Sequence, residues 1–260
     1  MFMNMMAQLK PKLNRLKLSG ILDNLDARIR EAEEGRWGYT EFLLSLFQDE
    51  IERRDFNALV SRLKKSSLDP KMTLETFDFR FNSCVHEGLI KELASSSFIE
   101  RSENVFFVGP SGIGKTHLAT AIGHEAARLG IDVLFKRTFS LLKWLGSGRA
   151  DGTFDRKLKH IAEVPLLIMD DFGLNDLSPV QQNDLYEIIS ARYESASTII
   201  TSNRDFSEWL SIFDNPLIGS AALDRLVHRA IKVSITGMSY RLDSFQSKNQ
   251  VSGLTNDYGN

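Results

Sequence analysis

The stretch Gly109-Pro110-Ser111-Gly112-Ile113-Gly114-Lys115-Thr116 reads G-x-x-x-x-G-K-T, and its flanks restrict what it can belong to. Residues 104–108, Asn-Val-Phe-Phe-Val, are a short apolar run of strand type. After the motif, from His117 to Arg128, Leu118, Ala121, Ile122 and Ala126 recur at helical spacing. A strand, a glycine loop and a helix in that order are the context in which this pattern cradles phosphate.

Each residue type has a chemical reason. Gly109, Gly112 and Gly114 let the backbone turn its N–H groups inward around an anion without occupying space. The helix that follows, opening at Lys115, Thr116 and His117, adds its unpaired N–H groups and positive dipole end. Lys115 would reach the β- and γ-phosphates of ATP, and the Thr116 hydroxyl would ligate Mg²⁺. The competing explanation, a glycine-rich turn ahead of an ordinary helix, does not account for both flanks.

Two hundred and sixty residues, 42% of them hydrophobic, suffice for one sizeable core and a smaller appended domain. The formal net charge of −2 gives no global pull toward nucleic acid, so any DNA contact must come from a local patch. The single cysteine, Cys84, leaves no internal disulfide, fits a reducing cytoplasm, and reads as buried or incidental. No apolar run approaches the roughly 20 residues of a membrane span. The start, Met1 to Met6, lacks the features of a signal peptide, so a soluble cytoplasmic protein is expected.

Residues 8–66 read as helices: Leu9, Leu13 and Leu16 share a face, Ser19-Gly20 interrupts, and Leu22, Leu25 and Ile29 resume it. Gly35 to Gly38 is a turn, and Thr40 is a candidate cap for a helix carrying Phe42, Leu43, Leu46, Phe47 and Ile51. Basic residues cluster at Lys10, Lys12, Arg15 and Lys17 and again at Arg53, Arg54, Arg62, Lys64 and Lys65; they are either solvated faces or a DNA-contacting patch. Asp69-Pro70 breaks the helices, which sets a helical N-terminal domain at 1–70, an ATPase domain at 71–245 and a polar tail at 246–260. Leu74, Phe77 and Phe79 mark an extended connector docked on a neighbour, followed by a helix near 83–94.

From residue 104 strands and helices alternate, which argues an α/β fold with a parallel sheet covered on both faces. Residues 131–135 form the second strand, and 146–153, rich in glycine and carrying Arg149, reads as a loose loop. Val164 to Asp171 is an apolar strand ending in two carboxylates about 55 residues after the P-loop lysine. There Asp170 would hold Mg²⁺ through water, and Asp171 would orient and polarise the attacking water. Ser178-Pro179-Val180-Gln181 is a capped helix start. The strand Ser197 to Asn203 puts Asn203 at its tip, where it either contacts the γ-phosphate or lytic water or simply begins a turn. The helix at 220–229 presents Arg225, which either pairs with Asp224 or reaches a neighbouring subunit's nucleotide. Ile231 to Ile235 is the last strand.

With these pieces in place the chain resembles the IstB-like family, ATPase helper proteins encoded beside transposases in bacterial insertion sequences. The resemblance rests on Leu16-Lys-Leu-Ser-Gly20, Leu74-Glu-Thr-Phe-Asp-Phe79, Gly114-Lys-Thr-His-Leu-Ala119, Leu166 to Gly173 and Thr201-Ser-Asn203. That family is similar to DnaC-type helicase loaders, and both are AAA+ ATPases. The resemblance implies that Gly109 to Thr116 is the Walker A motif, with His117 beside it, and that Asp170 and Asp171 are the Walker B pair. Most AAA+ proteins have Glu where Asp171 stands. It further implies Asn203 as sensor 1, Arg225 as an arginine finger and Arg241 as a second sensor touching nucleotide. About 25 residues follow the last strand, so no C-terminal helical lid is expected. By the same resemblance the protein assembles with ATP into an oligomer or helical filament on duplex DNA, distorts it and recruits or activates the cognate transposase. A helicase loader on single strands and a small-molecule kinase are the rival readings.

Overall fold

The computed structural model describes residues 2–82 and 84–243, so the 246–260 tail lies outside the described residues. The chain falls into two compact units, the first Met1–Ser61, the second beginning at Arg62.

The first unit holds α1 (Phe2–Arg15), α2 (Ser19–Gly35) and most of α3 (Tyr39–Ser66). Leu13, Ile21, Leu25 and Leu46 are its buried core. The break between α1 and α2 falls at 16–18, not at Ser19-Gly20, with Lys17 left-handed at φ 58°. Gly20 is instead inside α2, because a side chain there would meet the Asp49 carbonyl oxygen of α3 at 2.5 Å. That closeness lets the buried Glu50 carboxylate accept the N–H groups of Gly20 (2.7 Å) and Ile21 (3.4 Å). Leu18 has no capping side chain of its own, so Glu50 serves the α2 terminus, an interaction of about 1 kcal/mol. Burial pushes the Glu50 carboxyl up, but Arg54 and the two backbone donors outweigh it and hold the group below its ordinary value. Arg28 grips Asp49 with two hydrogen bonds of 2.9 and 2.7 Å. Thr40 lies within α3 and does not cap it. Leu43, Leu44, Phe47, Ile51, Phe56 and Val60 are exposed along α3.

The second unit carries α4 (Glu87–Ala94), α5 (Ser97–Glu100), β1 (Asn104–Val108), α6 (Lys115–Arg128), β2 (Val133–Arg137) and α7 (Thr138–Asp151). Then follow α8 (Phe154–Glu163), β3 (Leu166–Phe172), α9 (Pro179–Arg192), β4 (Ser197–Ser202), α10 (Phe206–Trp209), α11 (Pro216–Val227) and β5 (Ala230–Ser234). The strands form one parallel sheet in the order β2-β3-β4-β1-β5. β1, β3 and β4 are buried almost throughout, as central strands of a sheet covered on both faces must be, although β4 buries Ser197, Thr198, Thr201 and Ser202 beside its two isoleucines. α6 packs on one face, and α7, α8, α9 and α11 build the core of the other around Phe106, Met169 and Ile200. This is the parallel sheet covered on both faces that the alternation of elements implied.

Several local expectations change. Residues 146–151 are not a loose loop but the end of α7. Arg149 pairs with the buried Asp184 through two guanidinium nitrogens and stacks over Phe154 at 4.1 Å, so it is a structural anchor. Cys84 is exposed. Arg229 lies beyond the end of α11. At Ser178 the capping box is complete: Ser178 N–H donates to Gln181 Oε1 (3.0 Å) and Gln181 N–H to Ser178 Oγ (3.4 Å). No described helix is long and apolar enough to cross a membrane.

Candidate nucleotide site

β1 ends at Val108, its parallel neighbour β4 ends beside it and β3 ends beside β4, so the loop 109–114, Asp170, Asp171 and Asn203 arrive at one edge of the sheet. Carboxyl ends of parallel strands are where open α/β sheets bind ligands. Gly114 caps α6 at φ 97°, a left-handed value, and a side chain there would come within 2.7 Å of the Phe77 ring.

Lys115 is almost enclosed. Its ammonium donates to the carbonyls of Gly109 (2.7 Å) and Pro110 (2.6 Å) and to Asn203 Oδ1 (2.6 Å). Burial pushes its pKa down to about 8, against the pull of Asp171 and Asp170. The lysine is thus already aimed at the loop, and already joined to Asn203.

A second chain of hydrogen bonds fixes the carboxylates. Thr116 Oγ1 donates to Asp170 Oδ1 at 2.7 Å, and Thr201 Oγ1 donates to the same oxygen at 2.6 Å. The Thr201 hydroxyl also accepts the Asp171 N–H at 3.1 Å, so one residue of β4 holds the Asp170 carboxylate and the backbone of Asp171. Thr201 was visible only as part of a polar triplet; its role comes from β3–β4 register. Asp171 stands at a bulge, where pairing slips between Met169 and Phe172, and takes φ 56°. Its side chain is partly exposed, with Arg137 Nε at 3.9 Å from Oδ2. Burial, then the neighbouring Asp170, raises the Asp171 carboxyl above its usual range, opposed by Arg137, Lys115 and Arg241.

These groups edge a cleft of about 290 Å³. Ser111 to His117, Asp171, Asn203 and Arg241 line it; Gly109 and Pro110 contribute their carbonyls to Lys115 from outside it. Asp170 lies buried behind Thr116. The opposite wall was not expected from sequence: Met72, Phe77, Phe81 and Asn82 of the connector, with Tyr240. α6 clasps that connector from one face. His117 Nε2 meets the Thr73 carbonyl at 2.8 Å, His124 Nε2 the Asp69 carbonyl at 2.9 Å, and Arg128 Nη1 the Glu75 carboxylate at 2.9 Å. Carbonyl oxygens only accept, so Nε2 carries the proton in both rings. His117 therefore spends its side chain on the connector.

Arg225 is elsewhere. It lies near Asn104 and Thr198, which open β1 and β4, at the end of the sheet opposite the cleft. Its Nη1 donates to the Ala221 carbonyl (2.9 Å) and its guanidinium stands over the Tyr186 ring at 5.4 Å.

The profile of the IstB-like ATP binding protein family matches residues 11–248. An insertion-sequence ATP-binding protein of Mycobacterium tuberculosis is 38% identical over 90% of this chain and 93% of its own length. The insertion sequence IS21 ATP-binding protein of Pseudomonas aeruginosa is 35% identical over 91% of this chain and 89% of its own. Among solved structures, the crystal structure of the DnaC helicase loader is 26% identical at a TM-score of 0.57, over 64% of this chain and 98% of that one. A P-loop whose lysine and threonine are tied to Asn203 and Asp170, in a match spanning nearly the whole sequence, places this chain in the IstB-like ATP-binding family of AAA+ proteins.

Proposed function

We propose that the chain hydrolyses ATP with Mg²⁺ and uses the cycle to assemble on duplex DNA, remodel it and bring in the transposase encoded beside it. The observation that carries the hydrolytic reading is the Thr116–Asp170–Thr201 hydrogen-bonded chain next to Asp171. Among the described residues no cluster of three or more His, Cys, Asp or Glu forms a metal cage. A hydroxyl and a carboxylate 2.7 Å apart fit Mg²⁺, a hard cation that keeps waters and takes its other ligands from phosphate. When bound it neutralises charge on the β- and γ-phosphates. Lys115 binds the same oxygens, Asn203 is released by Lys115 to face the γ-phosphate, and Asp171 orients the water and receives its proton.

The lowered Lys115 pKa gives a pH signature. Between about 8 and its ordinary 10.5 the unfolded chain holds a proton that the folded one has shed, so ligand-free stability rises with pH there. Phosphate restores the charge. ATP binding should therefore take up roughly one proton near pH 9 and almost none near pH 6.5, and affinity should fall as pH climbs past 8. Calorimetry in buffers of different ionisation enthalpy measures that uptake; its absence at pH 9 would remove Lys115 from the phosphate site.

DNA contact is assigned to the helical basic residues that remain available. Lys10, Arg53, Arg54 and Arg62 are engaged with Asp26, Asp23, Glu50 and Asp132. Lys12, Arg15, Lys17, Lys64 and Lys65 are exposed and pair with no described carboxylate. Binding through phosphates should weaken linearly in log–log salt titrations, and the double variant Lys64→Glu, Lys65→Glu should lower the slope by about 2. Self-assembly is supported by the apolar stripe on α3, since exposed patches of that kind mark association surfaces.

A helicase loader is the second reading, favoured by the DnaC likeness, but that likeness covers 64% of the chain where the insertion-sequence relatives cover about 90%. Fluorescence anisotropy with ATP, Mg²⁺ and either a duplex or its single strand decides between them. Duplex preference is expected; tighter binding of the single strand would overturn the transposition reading.

A further inference from the structure

The cleft has two chemically different ends. The P-loop end offers N–H groups and Lys115; the connector end offers the rings of Phe77, Phe81 and Tyr240. Phe81 and Tyr240 meet edge-on, centroids 5.0 Å apart. The connector also lends the cleft three polar side chains, Thr76, Asp78 and Asn82, and of these Asn82 is the buried one, only 5% exposed.

Half of its amide has work to do. Asn82 Oδ1 accepts the Cys84 N–H at 3.3 Å, and the Asn82 carbonyl accepts the Val85 N–H at 3.1 Å, which closes the turn. The amide nitrogen is buried and has no hydrogen-bond partner among the described residues. Flipping the amide would not help, because it would set two donors, the side-chain NH₂ and the Cys84 N–H, against each other. Nor can the group easily swing aside. Gly237, at φ 134°, packs so close that a side chain there would lie 2.9 Å from Oδ1. A buried donor held in place without an acceptor is a standing cost that native proteins seldom carry without reason.

We propose that Asn82 is the base-reading residue of this cleft, its amide N–H donating to a ring-nitrogen acceptor of a purine whose face lies against the connector aromatics. The proposal rests on the reading of the cleft as an ATP site and extends it to the base. Phosphate recognition by the P-loop is blind to the base; the acceptor requirement supplies the missing selection. Adenine offers acceptors at N1, N3 and N7, each of which can be replaced by C–H without altering ring shape. The nitrogen is closed to water in the structure described, so the groups around it must give way as the base enters.

The test is a coupling experiment on the full chain. Dissociation constants are measured for ATP, 1-deaza-ATP, 3-deaza-ATP, 7-deaza-ATP and inorganic tripolyphosphate, with the wild type, Asn82→Ala and Asn82→Asp. The aspartate keeps an acceptor for the Cys84 N–H, so the turn survives while the donor is lost. One deaza analogue should bind the wild type roughly 3- to 10-fold more weakly than ATP, the range of one neutral hydrogen bond. That penalty should vanish in both variants, and Asn82→Ala should bind tripolyphosphate as the wild type does. If all three analogues match ATP on the wild type, or the penalty persists in the variants, Asn82 does not read the base. Failure of the wild type to bind both ATP and tripolyphosphate would overturn the nucleotide reading along with this one.

Discussion

Arg225→Ala should retain ATP and lose turnover by about 10³–10⁵, the range for an arginine that offsets transition-state charge on a transferring phosphoryl group. The argument is positional. Arg225 neighbours Asn104 and Thr198, where β1 and β4 begin, whereas the phosphate loop follows their far ends. Crossing a strand of that length takes ~13 Å, at the usual rise per residue, so the side chain does not reach its own subunit's phosphates. Its present partners, the Ala221 carbonyl and the Tyr186 ring, are weak and surface-near, and so easily exchanged for a γ-phosphate of another copy. Mixing sharpens the claim. Asp171→Asn subunits keep the arginine and Arg225→Ala subunits keep the carboxylate, so a co-assembly of two inactive proteins should regain phosphate release. No recovery in a demonstrated mixed assembly would mean that Arg225 does not act across subunits.

Lys115→Ala should lose ATP affinity by roughly 30- to 5,000-fold, since truncating one partner of a buried charge pair costs about 2–5 kcal/mol. The ligand-free protein should suffer little. The ammonium it removes is itself disfavoured by burial, as its lowered pKa records, and the acceptors left behind, on Pro110 and Asn203 in particular, belong to exposed residues. The measurement is paired: calorimetric affinity for ATP alongside the thermal midpoint of the free protein. A large drop in midpoint with unchanged ATP affinity would make Lys115 a loop-stabilising residue. ATP-dependent assembly on DNA should disappear with the affinity.

What could be read from sequence was whatever has a local cause. The P-loop, the alternation of strands and helices, and the Ser178 capping box are each decided by residues within a few positions of one another. The misreadings share the opposite character. Residues 146–151 look like a loop because of their glycines, yet α7 continues through them: Gly148 lets the backbone of Phe154 approach, and Arg149 is held by Asp184, 35 residues on. Gly20 looks like a break and is a contact point, for a carboxylate arriving from α3. The wall of the cleft opposite the P-loop was missed for a related reason. His117 and His124 hold the connector by its backbone carbonyls, and a carbonyl has no residue signature to find. Phe77 was marked as docking somewhere; only the structure names Gly114 and His117 as where.

Asp171 raises a question about what substitutions are open to this chain. The longer glutamate is the usual residue at this place among AAA+ proteins, and lengthening the side chain by one methylene looks like the simplest of exchanges. The backbone makes it otherwise. At φ 56° aspartate and asparagine are the non-glycine residues most readily accepted, and a glutamate there, as at Glu194 (φ 54°) elsewhere in the chain, costs more. Side-chain length and the slipped strand pairing thus form a linked pair of characters. Exchanging one carboxylate for the other is therefore a change of backbone as much as of side chain: Asp171→Glu made alone adds strain at the bulge and carries the carboxylate one methylene beyond the place that Asp171 holds.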